Sequence, residues 1–245
     1  MDPLARFTIL EKNHFTTRKI AYLVIPPDAD AEFAASMEEV LDVYARPYDP
    51  RFPVLCMDEQ PIQLLKETRI PIAGTPQHPR RVDYEYERAG TASIFMFCEP
   101  LAGWRHVSVR ERRTKVDWAQ EMAHFLGTRY PSAQKVILVC DNLNTHTKGA
   151  FYETFEPATA RSLVQRVEFC HTPKHGSWLN IAENELSAMT RQCVRGRRFA
   201  TVEELRAQTT AWHEHSNARQ RTVDWQFRID DARVKLKSIY PKLEV

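Results

Sequence analysis

The sequence predicts an α/β fold in which an antiparallel meander and parallel strands form one mixed sheet flanked by helices. Three observations predict it. After Lys135 come five apolar residues, Val136 to Cys140. That run is too short for a helix and rich in β-branched residues, as in a strand buried on both faces. A second short apolar run, Val54 to Met57, is followed by Asp58 and Glu59, much as Asp141 follows Cys140. Between the two, Ala92 to Cys98 and His106 to Arg110 are strand-like runs joined through a turn at Gly103, which makes them antiparallel partners.

Taken in order, residues 1–27 have mixed composition and end at Pro26-Pro27, an N-terminal arm or linker remnant. Asp28 to Tyr44 is a helix, since Phe33, Met37, Val40, Leu41 and Tyr44 step by 3 and 4 along one face. Pro47 to Pro53 is a breaker-rich linker, so residues 28–52 are helix and linker. The Val54–Met57 strand follows. Residues 70–82, with four breakers and Arg80-Arg81, are a loop with a basic tip. The meander strands come next. Thr114 with Asp117 three residues on starts a helix over Lys115–Thr128, with Val116, Ala119, Met122, Ala123 and Leu126 as its apolar stripe. Tyr130-Pro131 ends it. The Val136–Cys140 strand leads to a short helix from Lys148 to Phe155, and Val167–Cys170 is the last strand. A loop from Pro173 to Trp178 opens a helix over Leu179–Val194, whose stripe is Leu179, Ala182, Leu186, Met189 and Cys193. Thr201 and Glu204 form a capping box for a helix to His215, and a basic tail is helical over Asp230–Ile239. This is the element order of the ribonuclease-H-like fold.

Composition narrows the class. The 245 residues are 43% hydrophobic and 27% charged, ordinary for a globular protein. No apolar run approaches the roughly 18 residues of a membrane span, and the N-terminus has no signal-peptide core. The net charge of +2 permits a nucleic-acid partner without requiring one. Five cysteines, an odd number, sit far apart and mostly in apolar runs, which suits a reducing cytosol. Cys170, His171, His175 and Cys193 match no zinc-finger spacing.

Asp58 and Asp141 follow two buried strands and Glu183 sits in the late helix. Three carboxylates converging from such places suit two Mg²⁺ ions, which favour oxygen ligands. Two ions about 4 Å apart clamp the attacking and leaving oxygens of a phosphodiester. Each acid has a plainer explanation. Asp141 caps the next helix, Asp58 begins a turn before Pro61, and Glu183 completes a capping box with Asn180. Glu185 and Glu59 are rivals; helical geometry does not choose between Glu183 and Glu185, and strand alternation sends Asp58 and Glu59 to opposite faces.

Three blocks, Met57-Asp58-Glu59-Gln60, Asp141-Asn142-Leu143-Asn144-Thr145-His146 and Thr172-Pro173-Lys174-His175-Gly176-Ser177-Trp178-Leu179-Asn180-Ile181-Ala182-Glu183, resemble the catalytic blocks of bacterial insertion-sequence transposases, relatives of the mariner-like elements within the DDE superfamily endonucleases. The resemblance runs from about Pro26 to about Tyr240. It implies a ribonuclease-H-like catalytic domain over 53–198 and a C-terminal helical extension over 199–245. It selects Asp58, Asp141 and Glu183 as catalytic and metal-holding residues, with two Mg²⁺ ions (Mn²⁺ as substitute). It implies cleavage of double-stranded DNA at the transposon's terminal inverted repeats, strand transfer into target DNA, a synaptic homodimer and a bacterial, nucleoid-associated setting. Such transposases usually carry helix-turn-helix domains before the core, and about 27 residues precede the first matching helix here. The chain is therefore expected to be a catalytic core with the N-terminal DNA-binding domains largely absent. The other reading is an inactive or domesticated remnant that binds DNA or a partner without catalysis. A structure-specific nuclease on the same fold is the third.

Arg80, Arg81, Arg112, Arg113, Lys174, Arg195, Arg197 and Arg198 are candidate phosphate contacts, although a charge run is more often a solvated face. His175 and Trp178 lie beside Glu183, and Trp178 suits stacking on an extruded base or packing at the helix start. Asn142 and His146 suit positioning of water or phosphate beside Asp141, or a satisfied structural role.

Overall fold

The computed structural model describes residues 30–241. The predicted arm over 1–27 and the start of the first helix at Asp28 lie outside them. Helix α1 is Ala31–Ala45, capped by the Asp30 carboxylate, which accepts from the Glu32 and Phe33 N–H groups. Its expected stripe, Phe33, Met37, Val40, Leu41 and Tyr44, is buried. Five strands follow, β1 Val54–Glu67, β2 Tyr86–Glu99, β3 Trp104–Arg110, β4 Val136–Cys140 and β5 Val167–His171. They form one sheet in the order β3-β2-β1-β4-β5. The β1–β2 and β2–β3 pairs are antiparallel; β1–β4 and β4–β5 are parallel. This is the expected mixed sheet, with meander and parallel half meeting at β1.

Strand alternation divides the interior into two cores. On one face Cys56, Ile94, Met96, Val107 and Val139 pack against α1 and the late helices. On the other Leu55, Met57, Phe95, Phe97, Leu138 and Cys140 pack against α2, Lys115–Thr128. The expected capping box of α2 is present, Thr114 with Asp117. Its buried stripe is turned from the expected one. Ala119, Met122 and Leu126 are buried as predicted, but Trp118 and Phe125 join them while Val116 is exposed. The helix rolls toward the side that buries two aromatic rings, which carry far more area than Val116 and Ala123.

Strands β1 and β2 are longer than their apolar runs. Asp58 does not end β1; the strand continues to Glu67, with Asp58 facing Met96 and Pro61 facing Ser93 on β2. Parallel pairing with β4 stops at Cys56, so the continuing arm has one free edge and Pro61 is tolerated there. Helix α3 is Lys148–Thr154, and α4, Pro157–Gln165, was not foreseen; Pro157 opens it and only Ala160 is fully buried. The predicted Leu179–Val194 helix is a 3₁₀ turn at Ser177–Leu179, helix α5 over Ile181–Met189 and a π turn over Thr190–Val194. Its five stripe residues are all buried. Helix α6 is Val202–Asn217; Thr201 caps it, but Glu204 bonds the Ala200 N–H, so the box is offset by one residue. Helix α7, Ile229–Lys235, and a 3₁₀ turn at Lys237–Ile239 end the described chain. All five cysteines are free and buried. Among the described residues no helix is long and apolar enough to cross a membrane.

Candidate active site

The register of the parallel pair sets the site. Cys56 on β1 lies opposite Val139 on β4. Two residues further along each chain stand Asp58 and Asp141, at the carboxyl end of the parallel pair, where open α/β sheets bind ligands. Cys56 belongs to the α1/α5 core, so alternation puts Asp58 on the face that α5 covers.

Two buried polar side chains seat α5 against β1. Asn180 is the N-cap; its Oδ1 accepts from the Ala182 N–H, and its Nδ2 donates to the Met57 carbonyl at 2.8 Å. The Tyr44 hydroxyl, from α1, donates to the Leu179 carbonyl and accepts from the Ile181 N–H. Glu183, in the first turn of α5, thereby faces Asp58 across an open cleft of about 500 Å³, which Glu59, Gln60, Ser177, Thr190, Arg191 and Arg195 also border. The plainer role for Glu183 fails. The Asn180 side chain caps Ala182, the Glu183 N–H takes the Asn180 backbone carbonyl, and the Asn180 N–H goes to Ser177, so no capping box uses the carboxylate. Glu183 Oε2 is buried without a hydrogen-bond partner.

Asp141 is not the cap of α3 either; Thr147 holds that position. Asp141 Oδ1 accepts from His146 Nδ1 at 2.7 Å. The other ring nitrogen of His146 meets Glu59 Oε1 at 3.0 Å. Burial pushes the Asp58 carboxyl up to about 7; the Glu59 N–H opposes the rise, while the charges of Asp141, Glu183 and Glu59 add to it. For His146, burial works against the charge, but hydrogen bonds led by that to Asp141 outweigh it and push the ring up to about 12. Asp58 and Glu183 thus share a cleft in which burial and neighbouring carboxylates work against the charged form of Asp58, and Asp141 is turned toward His146. Among the described residues no three His, Cys, Asp or Glu side chains are gathered tightly enough to form a ready-made metal cage. The donors available, carboxylate oxygens with one buried and unpartnered, suit a hard divalent cation.

Of the rivals, Glu185 is committed elsewhere. Arg105 grips it with two hydrogen bonds of 2.9 and 2.8 Å. Glu59 lies on the opposite face from Asp58, as alternation requires, yet stays coupled to Asp141 through His146.

The proposed DNA contacts divide. Asn142, Lys174 and His175 are exposed but do not line the cleft, and Arg112 and Arg113 are exposed on the β3–α2 loop. The Lys174-His175 loop is tight. His175 has φ of 64°, and a side chain at Gly176 would meet Pro173 Cγ at 2.6 Å. His146 is fully buried, so its ring is not presented to DNA. Trp178 packs edge-on against Phe227 with centroids 5.9 Å apart, the helix-start packing role rather than a free stacking platform. Arg198 is tied to Glu67 and to the Tyr84 and Glu85 carbonyls, and Arg197 to Gln208 and the Cys193 carbonyl. Arg80 and Arg81 sit exposed in the loop between β1 and β2. Of Arg195, Arg197 and Arg198 only Arg195 borders the cleft, joined by Arg191, which carries no sequence signal because it lies within the predicted Leu179–Val194 helix.

A family model described as DDE superfamily endonuclease matches residues 53–206. No curated protein matches the chain. Among solved structures, the Mos1 strand transfer complex aligns at 13% identity and a TM-score of 0.61, over 98% of this chain and 71% of that one. The mariner Mos1 paired-end complex with Mg aligns at 15% identity and a TM-score of 0.58, covering 98% and 72%. The Mos1 transposase paired-end complex with left transposon end aligns at 14% identity and a TM-score of 0.53, over 86% of this chain; the chain spans 62% of that one. At such identities the likeness establishes a shared fold.

Proposed function

The chain belongs to the DDE superfamily endonucleases, and on that footing we propose that it is the catalytic domain of a mariner-like DNA transposase. It cuts phosphodiesters at transposon ends and joins the freed strand to target DNA. The observation that carries this reading is the pairing of Asp58 with Glu183, whose Oε2 is buried and unpartnered, across one cleft beside Asp141. Asp58, Asp141 and Glu183 would hold divalent cations, Mg²⁺ or Mn²⁺. When bound, a pair of such ions activates the attacking oxygen and neutralises the leaving one.

The chain's own residues do the rest. Asp58 is fixed by its strand and by the Glu59 N–H at 2.8 Å. Asn180 and Tyr44 hold Glu183 at its height above the sheet. Asp141 gives Oδ1 to His146 and keeps Oδ2. Arg191 and Arg195, without an ion-pair partner among the described residues, face the carboxylates across the cleft and would bind the phosphate that those carboxylates alone repel. Asn142, Lys174, His175, Arg112 and Arg113 extend that surface. In the cleavage step water attacks phosphorus and the 3′ oxygen leaves; in the joining step that 3′ hydroxyl attacks a target phosphodiester and another 3′ oxygen leaves. A synaptic homodimer, an insertion-sequence origin and a nucleoid setting are supported by the sequence resemblance, and double-stranded DNA as partner also by the Mos1 complexes.

The test is Asp141→Asn, which removes a charge and keeps the shape. Mg²⁺-dependent nicking of inverted-repeat DNA by the wild type, absent in the folded variant, is expected. Metal-dependent nicking that is equal in the two proteins would refute the site, and DNA binding without nicking in either would favour the domesticated remnant. Nicking without strand transfer would leave a nuclease.

A further inference from the structure

His146 occupies a place that neither DNA contact nor plain packing explains. It is fully buried, at the start of the segment that leads into α3, with its backbone N–H bonded to the Leu143 carbonyl. The Trp118 ring lies 5.7 Å from it, centroid to centroid. Each ring nitrogen faces a carboxylate oxygen, Nδ1 to Asp141 at 2.7 Å and Nε2 to Glu59 at 3.0 Å. Carboxylates are acceptors, so a geometry with both contacts at hydrogen-bond distance calls for a donor on each nitrogen. Glu59 is itself nearly inaccessible, its side chain 3% exposed. Its second oxygen has no hydrogen bond, and the Arg113 guanidinium stands 3.8 Å away. The three groups therefore form a chain that starts at buried Glu59, on the α2 side of the sheet, and ends at the partly exposed Asp141.

Resting on the proposed metal-dependent reading, we infer that His146 is a positioning residue and Glu59 its anchor: together they fix the Asp141 carboxylate through Oδ1 and leave Oδ2 for a divalent cation. A carboxylate free to rotate loses orientational entropy when it binds a cation; one held by an outer hydrogen bond has lost it already. Outer partners of this kind typically change metal affinity by 10- to 100-fold. Asp58 accepts only the Glu59 N–H, and among the described residues no side chain holds it or Glu183, so the side-chain relay is specific to Asp141.

Two isosteres separate this role from simple compensation of buried Glu59. The amide of His146→Asn reaches the Nδ1 position and keeps the Asp141 contact. The amide of His146→Gln reaches the Nε2 position and keeps the Glu59 contact. The probe is Mn²⁺ alone, titrated calorimetrically into the full chain without DNA, well below the melting temperature and with folding checked by circular dichroism. The expected result is a loss of only several-fold for His146→Asn, which keeps the Asp141 bond and loses the Glu59 anchor, and a loss of roughly 10- to 100-fold for His146→Gln, which loses the Asp141 bond. Unchanged affinity in a folded His146→Gln, or the reverse ranking, overturns the inference while leaving the metal reading intact. Absence of Mn²⁺ binding in the wild type overturns both. Should neither variant fold, Glu59→Gln carries the test, because it leaves the ring and its bond to Asp141: a several-fold loss supports the anchor and an unchanged affinity overturns it.

Discussion

Asn180 Nδ2 donates to the Met57 carbonyl at 2.8 Å, one residue before Asp58. That bond joins the first turn of α5 to β1 where the two candidate carboxylates face each other. Asn180 is 2% exposed, so neither partner has water as a substitute. Asn180→Ala removes this bond and the cap on Ala182. A buried hydrogen bond left half-made costs about 1–3 kcal/mol and a lost cap about 1 more. The denaturant midpoint should fall accordingly. Nicking measured well below the midpoint should fall further than stability explains, because Glu183 loses its height above the sheet.

Glu183→Gln should separate stability from activity. The buried, unpartnered oxygen of Glu183 faces an Asp58 already pushed up to about 7. Removing one negative charge relieves that repulsion. In EDTA the variant should melt at or above the wild-type temperature, yet gain less from added Mg²⁺ and lose nicking. A clear drop in EDTA melting temperature would mean that Glu183 is a structural group.

Glu185→Gln should behave in the opposite way. Arg105 and Glu185 form a pair whose side chains are only 7% and 12% exposed, and Arg105 also donates to the Arg221 carbonyl. Breaking one partner of such a pair costs about 3–5 kcal/mol. The unfolding free energy should fall by that much, while the Mn²⁺ affinity of the folded fraction stays at the wild-type value.

A pH effect is expected far from the cleft. His106 is lowered to about 4, by burial first and by the neighbouring His213 ring, 5.0 Å away. His213 is lowered too, mainly by burial, and its Nδ1 accepts from the Val107 N–H. Both native values lie below that of an unfolded histidine. The unfolded chain therefore binds more protons as pH falls, and stability present above about pH 6.5 is lost toward pH 4. Urea midpoints of wild type and a His106→Asn/His213→Asn double variant should converge as pH is lowered over this window. Parallel curves would show that the two rings do not titrate on unfolding.

Arg191→Gln with Arg195→Gln should weaken DNA binding with no dependence on sequence. Each phosphate contact contributes about 0.9 to the slope of log affinity against log salt. The double variant should lose up to about 2 of that slope, whereas Arg197→Gln and Arg198→Gln, whose guanidiniums are engaged within the fold, should change it little and stability more. Fluorescence anisotropy at several salt concentrations measures both.

The framework was legible because its signals are local. Five apolar residues before Asp141, a Thr114–Asp117 box and a stripe from Leu179 to Cys193 each specify an element without help from elsewhere. What escaped depends on partners distant in sequence. Strand β1 runs through Asp58, Gln60 and Pro61 only because β2 supplies an antiparallel edge beside them. Helix α4 buries little of its own surface and leaves no stripe to read. The roll of α2 is decided by where Trp118 and Phe125 find space. At the site, the three acids are conspicuous in sequence through the blocks around them. Glu59 was set aside by strand alternation, which is correct about its face but silent about a histidine 87 positions away that reconnects it to Asp141.

The acids come from widely spaced parts of the chain, and this has a consequence during synthesis. Asp58 leaves the ribosome early, Asp141 with the middle of the sheet, and Glu183 only after β5 is complete. Strand β1 sits centrally, and the helix bearing Glu183 seats on it through Asn180, which is made just before that helix. A nascent chain that stops short of α5 holds Asp58 and Asp141 on a sheet that α1 and α2 cover only in part, without Glu183. On the proposed reading, the third acid joins the other two in one late step, when α5 is laid down on the sheet face that already carries α1.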